Sequence, residues 1–233
     1  VALAIDASTP LLAAGSNDPW VTATFTPPAG SLMVAVVTAD WFGGTPTLTV
    51  QDDGLASVFT SRIKAGADSQ GVVEIFTAPT IGGGTSRTCT GTTSLASDVG
   101  GLKIYVLTGQ HTSTPVDTTG SNTGDTTNNL TVNALTTGFD GCWVLGGAVD
   151  WQSLGAPTST DVFENFDDAD LSVICARKAA ATSPAGAVTL NFDAGVGTPM
   201  WTWAAISIRP DAAPPPAPLL PGIARSGLIL GPN

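Results

Sequence analysis

Apolar residues in this chain come in short runs closed by Gly, Pro, Asn or Asp, and no window of helical length repeats them at i, i+3 and i+4 between capping residues. This excludes a helical or α/β architecture and predicts an all-β one, an antiparallel β-sandwich or jelly-roll-like fold of short strands. Strands are expected over Ala2–Asp6, Trp20–Thr26, Leu32–Thr38, Thr47–Gln51, Ser57–Ile63, Val72–Thr77, Arg87–Thr92 and Leu102–Thr108. A second series is expected over Leu130–Asn133, Cys142–Val149, Asp161–Phe166, Leu171–Arg177, Val188–Phe192 and Trp201–Ile208. The 27 Gly and 17 Pro supply the turns, and Thr, β-branched and suited to a half-exposed pleat, fills segments such as TPTLTVQ (45–51).

The two series match each other. VTATFTPPAGSLMVAVVTADWFGGTPT (21–47) aligns with LTVNALTTGFDGCWVLGGAVDWQSLGAPT (130–158), and Asp40–Trp41 stands 110 positions before Asp150–Trp151. SVFTSRI then pairs with DVFENFD, GVVEIFTAP with DLSVICARK, and LKIYVLTG with TWAAISIRP. Residues 1–209 are therefore read as a β-sandwich unit built from two related half-units of about seven strands, residues 20–109 and 130–209. Either two sandwiches or one merged jelly roll would satisfy that pattern. The Thr, Gly and Asn rich stretch Gly109–Asn129 between them reads as a long crossover.

Charge narrows the range of functions. With 8 Lys and Arg against 19 Asp and Glu the net charge is −11, and only 12% of the 233 residues are charged. Nucleic-acid affinity comes largely from clustered cations, so no nucleic-acid partner is expected. No run of 18 apolar residues and no basic leader followed by an apolar stretch occurs, so no membrane insertion is expected.

Residues that could carry chemistry are few. Cys89, Cys142 and Cys175 lack C-x-x-C spacing and neighbouring His, which argues against zinc. They read as small apolar strand residues, with a Cys142–Cys175 bridge as the sharper alternative. His111 is the only His and reads as a loop residue; no G-x-S-x-G elbow supports a triad through it. Asp167, Asp168 and Asp170, with Asn165, could offer oxygen ligands to Ca²⁺, or could form a solvated turn. Asp52–Asp53–Gly54 looks like a plain turn. Trp20, Trp143, Trp201 and Trp203 fall within strands and read as core or interface anchors. Trp41 and Trp151 stand where strands end, and could contact a glycan or a partner, or could close equivalent ends of the two half-units. No catalytic residue, resident metal or cofactor is expected, and the chain is read as no enzyme.

After Arg209 the sequence changes character. Pro214–Pro216, Pro218 and Pro221 favour extended polyproline II, which cannot enter the middle of a sheet. Leu219, Leu220, Ile223, Leu228, Ile229 and Leu230 then bring apolar side chains with no core of their own, so residues 210–233 read as an extended C-terminal anchoring arm docked on a neighbouring subunit or partner, or else as a segment folded back over its own sandwich.

The order TPPAGSLMVAVV, TLTVQDDGLASVFTSR, GVVEIFTAP, LKIYVLTG, STPVDTTGS and GCWVLGGAVDW resembles a Thr and Gly rich β-sandwich family of structural proteins of tailed bacteriophages of actinobacteria, found also among secreted bacterial surface proteins. The likeness covers most of residues 1–209 and rests on packing and turn patterns. It departs at Leu55-Ala56-Ser57, where that family carries an aromatic after the turn Gly. The resemblance implies a non-enzymatic virion component, a minor tail or capsid-decoration protein. Its partners would be capsid or tail subunits and copies of itself, and it could touch host-surface glycans. The other class of function left open is a secreted carbohydrate-binding or adhesion module, with Trp41 and Trp151 as its contacts.

Overall fold

The computed structural model describes residues 2–40, 46–66, 71–95, 99–152, 155–168, 171–194 and 197–211, with backbone alone for 131–134. These residues form strands and connections without a helix. The first half of the chain holds β1 (Ala4–Ile5), β2 (Ala13–Gly15), β3 (Trp20–Val21), β4 (Leu32–Ala39), β5 (Leu48–Asp53), β6 (Thr60–Gly66), β7 (Val72–Pro79), β8 (Thr88–Thr93) and β9 (Gly100–Thr108). The second half holds β10 (Val116–Asp125), β11 (Asn129–Thr136), β12 (Trp143–Asp150), β13 (Val162–Asp167), β14 (Ser172–Arg177), β15 (Ala187–Asp193) and β16 (Trp201–Ile208).

Both halves follow one strand order. The first has a large sheet β1-β9-β4-β7-β6, with β2 also on β9, and a small sheet β3-β8-β5. The second repeats it as β10-β16-β12-β14-β13 and β11-β15, and a single bridge, Thr158 to Asp193, stands where β5 meets β8. From β3 to β9 and from β10 to β16 the strands alternate between large and small sheet except at β6–β7 and β12–β13–β14, which stay in the large sheets. This is a jelly-roll pattern with one strand moved to the larger sheet.

Four layers result, small sheet, large sheet, large sheet, small sheet. The two large sheets face each other across a core to which both halves contribute, including Val34, Val36, Ile75 and Leu107 on one side and Leu145, Val173, Ile206 and Ile208 on the other. β4 lies against β12, β7 against β16 and β9 against β14. β6 also lies against β10 and β16, and β7 against β12, so the two halves do not meet symmetrically.

Layering explains the sequence of the central strands. β4 is buried at all eight positions. Leu32, Val34 and Val36 enter the shared core, while Met33, Ala35, Val37 and Ala39 enter the core under the small sheet. A strand buried on both faces reads as a continuous apolar run, as LMVAVVTA does. β16 divides likewise, Ala204, Ile206 and Ile208 facing the other half and Trp201, Trp203 and Ala205 facing Leu190 and Phe192 of the outer layer. Gly147 marks a close approach of the halves, because a Cβ there would lie 2.6 Å from Val36 Cγ1, and Gly71 stands equally close to Val149.

Two strands escape the sequence reading. β10 occupies ten residues of the stretch expected to be a crossover, and pairs with β16 along almost its whole length. It is an edge strand whose VDTTGSNTGD side chains are half-buried or exposed, so no apolar alternation announces it. β2 has three half-buried residues and is equally silent.

Candidate functional site

The last central strand delivers the chain to one end of the molecule, where the root of the C-terminal arm is fixed. β16 runs between β10 and β12, so Ile208 is buried and held on both sides. Arg209 N–H donates to Pro115 O at 2.9 Å, His111 N–H to Arg209 O at 3.1 Å and Asp211 N–H to Gly109 O at 2.8 Å. Gln110 bridges Pro210 through the backbone and donates from Nε2 to Gly30 O at 2.7 Å. Gly109 has a φ of 78° and a Cβ there would lie 2.2 Å from Ala2 O, so only glycine admits this crossing of the first strand segment. Pro210 and Asp211 therefore belong to the folded body. Residues 212–233, with Leu219, Leu220, Ile223, Leu228, Ile229 and Leu230, lie outside the described residues.

Beside this root opens a hollow of about 610 Å³, bounded by Ala2, Leu3, Phe139, Gly141, Ala181 and Arg209 among others. Its wall is mostly apolar. Phe139 is 46% exposed, and the Arg209 guanidinium lies over its ring at 4.6 Å. His111 stands at the rim with Nδ1 turned inward to its own loop, accepting from Thr114 N–H at 3.2 Å.

The acidic residues act as latches. Glu164 accepts from Leu12 N–H through Oε2 at 2.5 Å and pairs through Oε1 with Lys103, whose side chain is 2% exposed and also donates to Pro10 O at 2.6 Å. Asp168 Oδ2 accepts from Ser16 Oγ at 2.7 Å, and Asp167 Oδ1 from Ser172 Oγ at 2.5 Å. Segment 10–16 of the first half is thus tied to β13 and its following turn. Each carboxylate answers to a different donor, and among the described residues no three His, Cys, Asp or Glu side chains are grouped to hold a metal. Asp170 lies outside the described residues.

Asp52 and Asp53 are not a plain turn. They end β5, and Asp52 forms a fully buried ion pair with Arg87 at 2.9 Å. The Arg87 guanidinium also donates to Ile81 O and Gly82 O, so one cation organises the loop before β8. Asp53 accepts from Thr88 and Thr90 hydroxyls. Only Gly54, at φ 109°, turns the chain.

All three cysteines are free thiols. Cys142–Cys175 is not a bridge: Gly147 is the register partner of Cys175, and Cys142 lies five residues further along, roughly 16 Å at strand rise. Burial pushes the Cys89 and Cys175 thiols up to about 12 and raises Cys142. Burial also raises the Tyr105 phenol well above its ordinary value.

Trp20, Trp201 and Trp203 are core residues. Trp143 is half-buried, its indole N–H donating to Lys178 O at 3.0 Å. Trp151 packs half-buried against the shared core, and Trp41 lies outside the described residues. The adjoining Asp150 is buried and accepts through Oδ1 from Gln152 N–H at 3.2 Å and Met200 N–H at 2.9 Å, so the Asp of the repeated Asp-Trp pair closes a strand end. Comparison with protein-family models, curated proteins and solved structures gives no match to this chain.

Proposed function

We propose that this protein is a non-enzymatic structural component of a bacteriophage virion, a minor tail or capsid-decoration protein. Its C-terminal arm anchors it to neighbouring subunits, and the double jelly roll projects outward. The observation that carries this reading is the arm root. The apolar, Pro-punctuated segment leaves from Asp211, a point pinned by backbone hydrogen bonds to Gly109 and, through Arg209, to Pro115 and His111. A fixed origin lets a tethered arm transmit force and position to the body, and an extended segment gains affinity from sheet-edge hydrogen bonds and alternate apolar pockets. Many copies on a symmetric particle would add avidity.

Jelly rolls occur in viral capsid and in lectin domains alike, so the architecture fits both readings without choosing between them. The glycan-binding alternative draws less support, because the described Trp of its pair is committed to the shared core.

The test is a chain ending at Asp211. It should fold as the full chain does and be missing from purified particles of the encoding phage, where the full chain is present. Normal incorporation of the shortened chain would overturn the reading.

A further inference from the structure

Resting on the anchoring reading above, we infer that the hollow at the arm root is the receptor for the arm of a second copy of this chain, so that copies link in series, each inserting residues from 219–230 into the next. The occupant is identified by three observations. The hollow, about 610 Å³, falls within the roughly 300–1,000 Å³ range of sites that bury a ligand, and its surface is mostly apolar, with Phe139 exposed at its edge and Asp140 and Asp211 also in its wall. The chain beyond Asp211 carries six large aliphatic residues between 219 and 230 and begins at the rim of this hollow. Arg209, which flanks the hollow, holds its guanidinium over the exposed Phe139 ring at 4.6 Å, keeping that ring at the edge of the hollow. An extended segment offers the aliphatic side chains that such a wall lacks.

The stiffness of the intervening sequence favours a neighbour's hollow over the chain's own. Polyproline II rises about 3.1 Å per residue, so Pro214 to Pro218 in that form sets Leu219 roughly 15 Å beyond Pro214. At that rise Leu219 would stand roughly 25 Å along the chain from Asp211, beyond the width of a hollow of about 610 Å³, so reaching its own hollow would need a reversal that an adjacent copy does not require. Such a contact is heterologous, arm to hollow, and propagates into a ring or a row of subunits, the arrangement that a particle surface with repeating sites requires.

The experiment uses purified protein and therefore stands apart from the particle assay. A labelled peptide of residues 212–233 is titrated against the chain ending at Asp211, against its Ala181→Trp variant, which fills the hollow, and against its Phe139→Asp variant, which makes the wall polar. Sedimentation of the full chain is followed over a range of concentrations. The expected result is peptide binding weakened by at least about tenfold in both variants, the loss of some 1.4 kcal/mol or more, together with concentration-dependent self-association of the full chain. No peptide binding, or binding indifferent to both variants, would overturn the inference. So would a full chain that stays monomeric and refuses the peptide, since its own arm would then fill the site. Particle incorporation that depends on the arm while the peptide fails to bind would leave the anchoring reading standing and move the receptor to another virion protein.

Discussion

Arg87 shows how a chain with few charges uses those it has. The guanidinium and the Asp52 carboxylate are both fully enclosed, and the remaining guanidinium donors are taken up by loop carbonyls. Removing one partner strands a buried charge, so Asp52→Ala should lower the unfolding free energy by about 3–5 kcal/mol in urea titration, and an apolar replacement of both should recover much of it. An Asp52→Ala protein as stable as the parent would contradict this placement. The buried thiols make a second prediction. Cys89 and Cys175 are held neutral in the fold up to about pH 12, while an unfolded chain ionises them from about pH 9. The unfolded state therefore gains stability from ionisation as pH rises from about 9 to about 12, and thermal midpoints should fall across that window and be flat in these thiols below it. Cys89→Ala and Cys175→Ala should flatten the alkaline fall. These residue roles were hard to read in sequence. Arg87 and Asp52 are 35 positions apart, and a pairing between β5 and the residue just before β8 leaves no local signal.

Among the elements, strands buried on both faces are the most legible, and the two that escape the sequence, β2 and β10, are half-buried or exposed. LMVAVVTA and WTWAAISI announce themselves because layers cover both of their faces, so every position selects for apolar side chains. β10 has a full ladder to β16 but packs too few side chains to write a pattern, and it therefore looked like a crossover. β12 carries a different constraint, the Gly146-Gly147 pair at its middle. Gly147→Val would push a side chain onto Val36 in the shared core, and overpacking of this kind costs about 1–3 kcal/mol. A fall in Tm of roughly 2–4 °C per kcal/mol is expected for a chain of this size. Gly15→Ala, where an added Cβ meets nothing within 4 Å, should change Tm by far less. Equal effects of the two would contradict the close approach of the halves at Gly147.

The molecule as a whole is two jelly rolls joined through their larger sheets, and the repeat is legible in the matched strand pairs of the sequence. Sequence could not say that the halves stack, because apolar faces look alike whether they cover a small sheet or a second copy of themselves. With a core drawn from both halves, and Lys103, Glu164, Ser16 and Asp168 tying them across, the body should unfold in one calorimetric transition. Two well-separated transitions would mean that each half is stable without the shared core. The proposed anchoring role belongs to this scale too, since an arm would position a body only if that body is a single piece. The most direct measurement is high-resolution imaging of the native particle with the density of residues 212–233 traced. The arm is expected to lie across another polypeptide, with the double jelly roll facing outward. An arm packed wholly on its own chain, or particles that lack this protein, would contradict it.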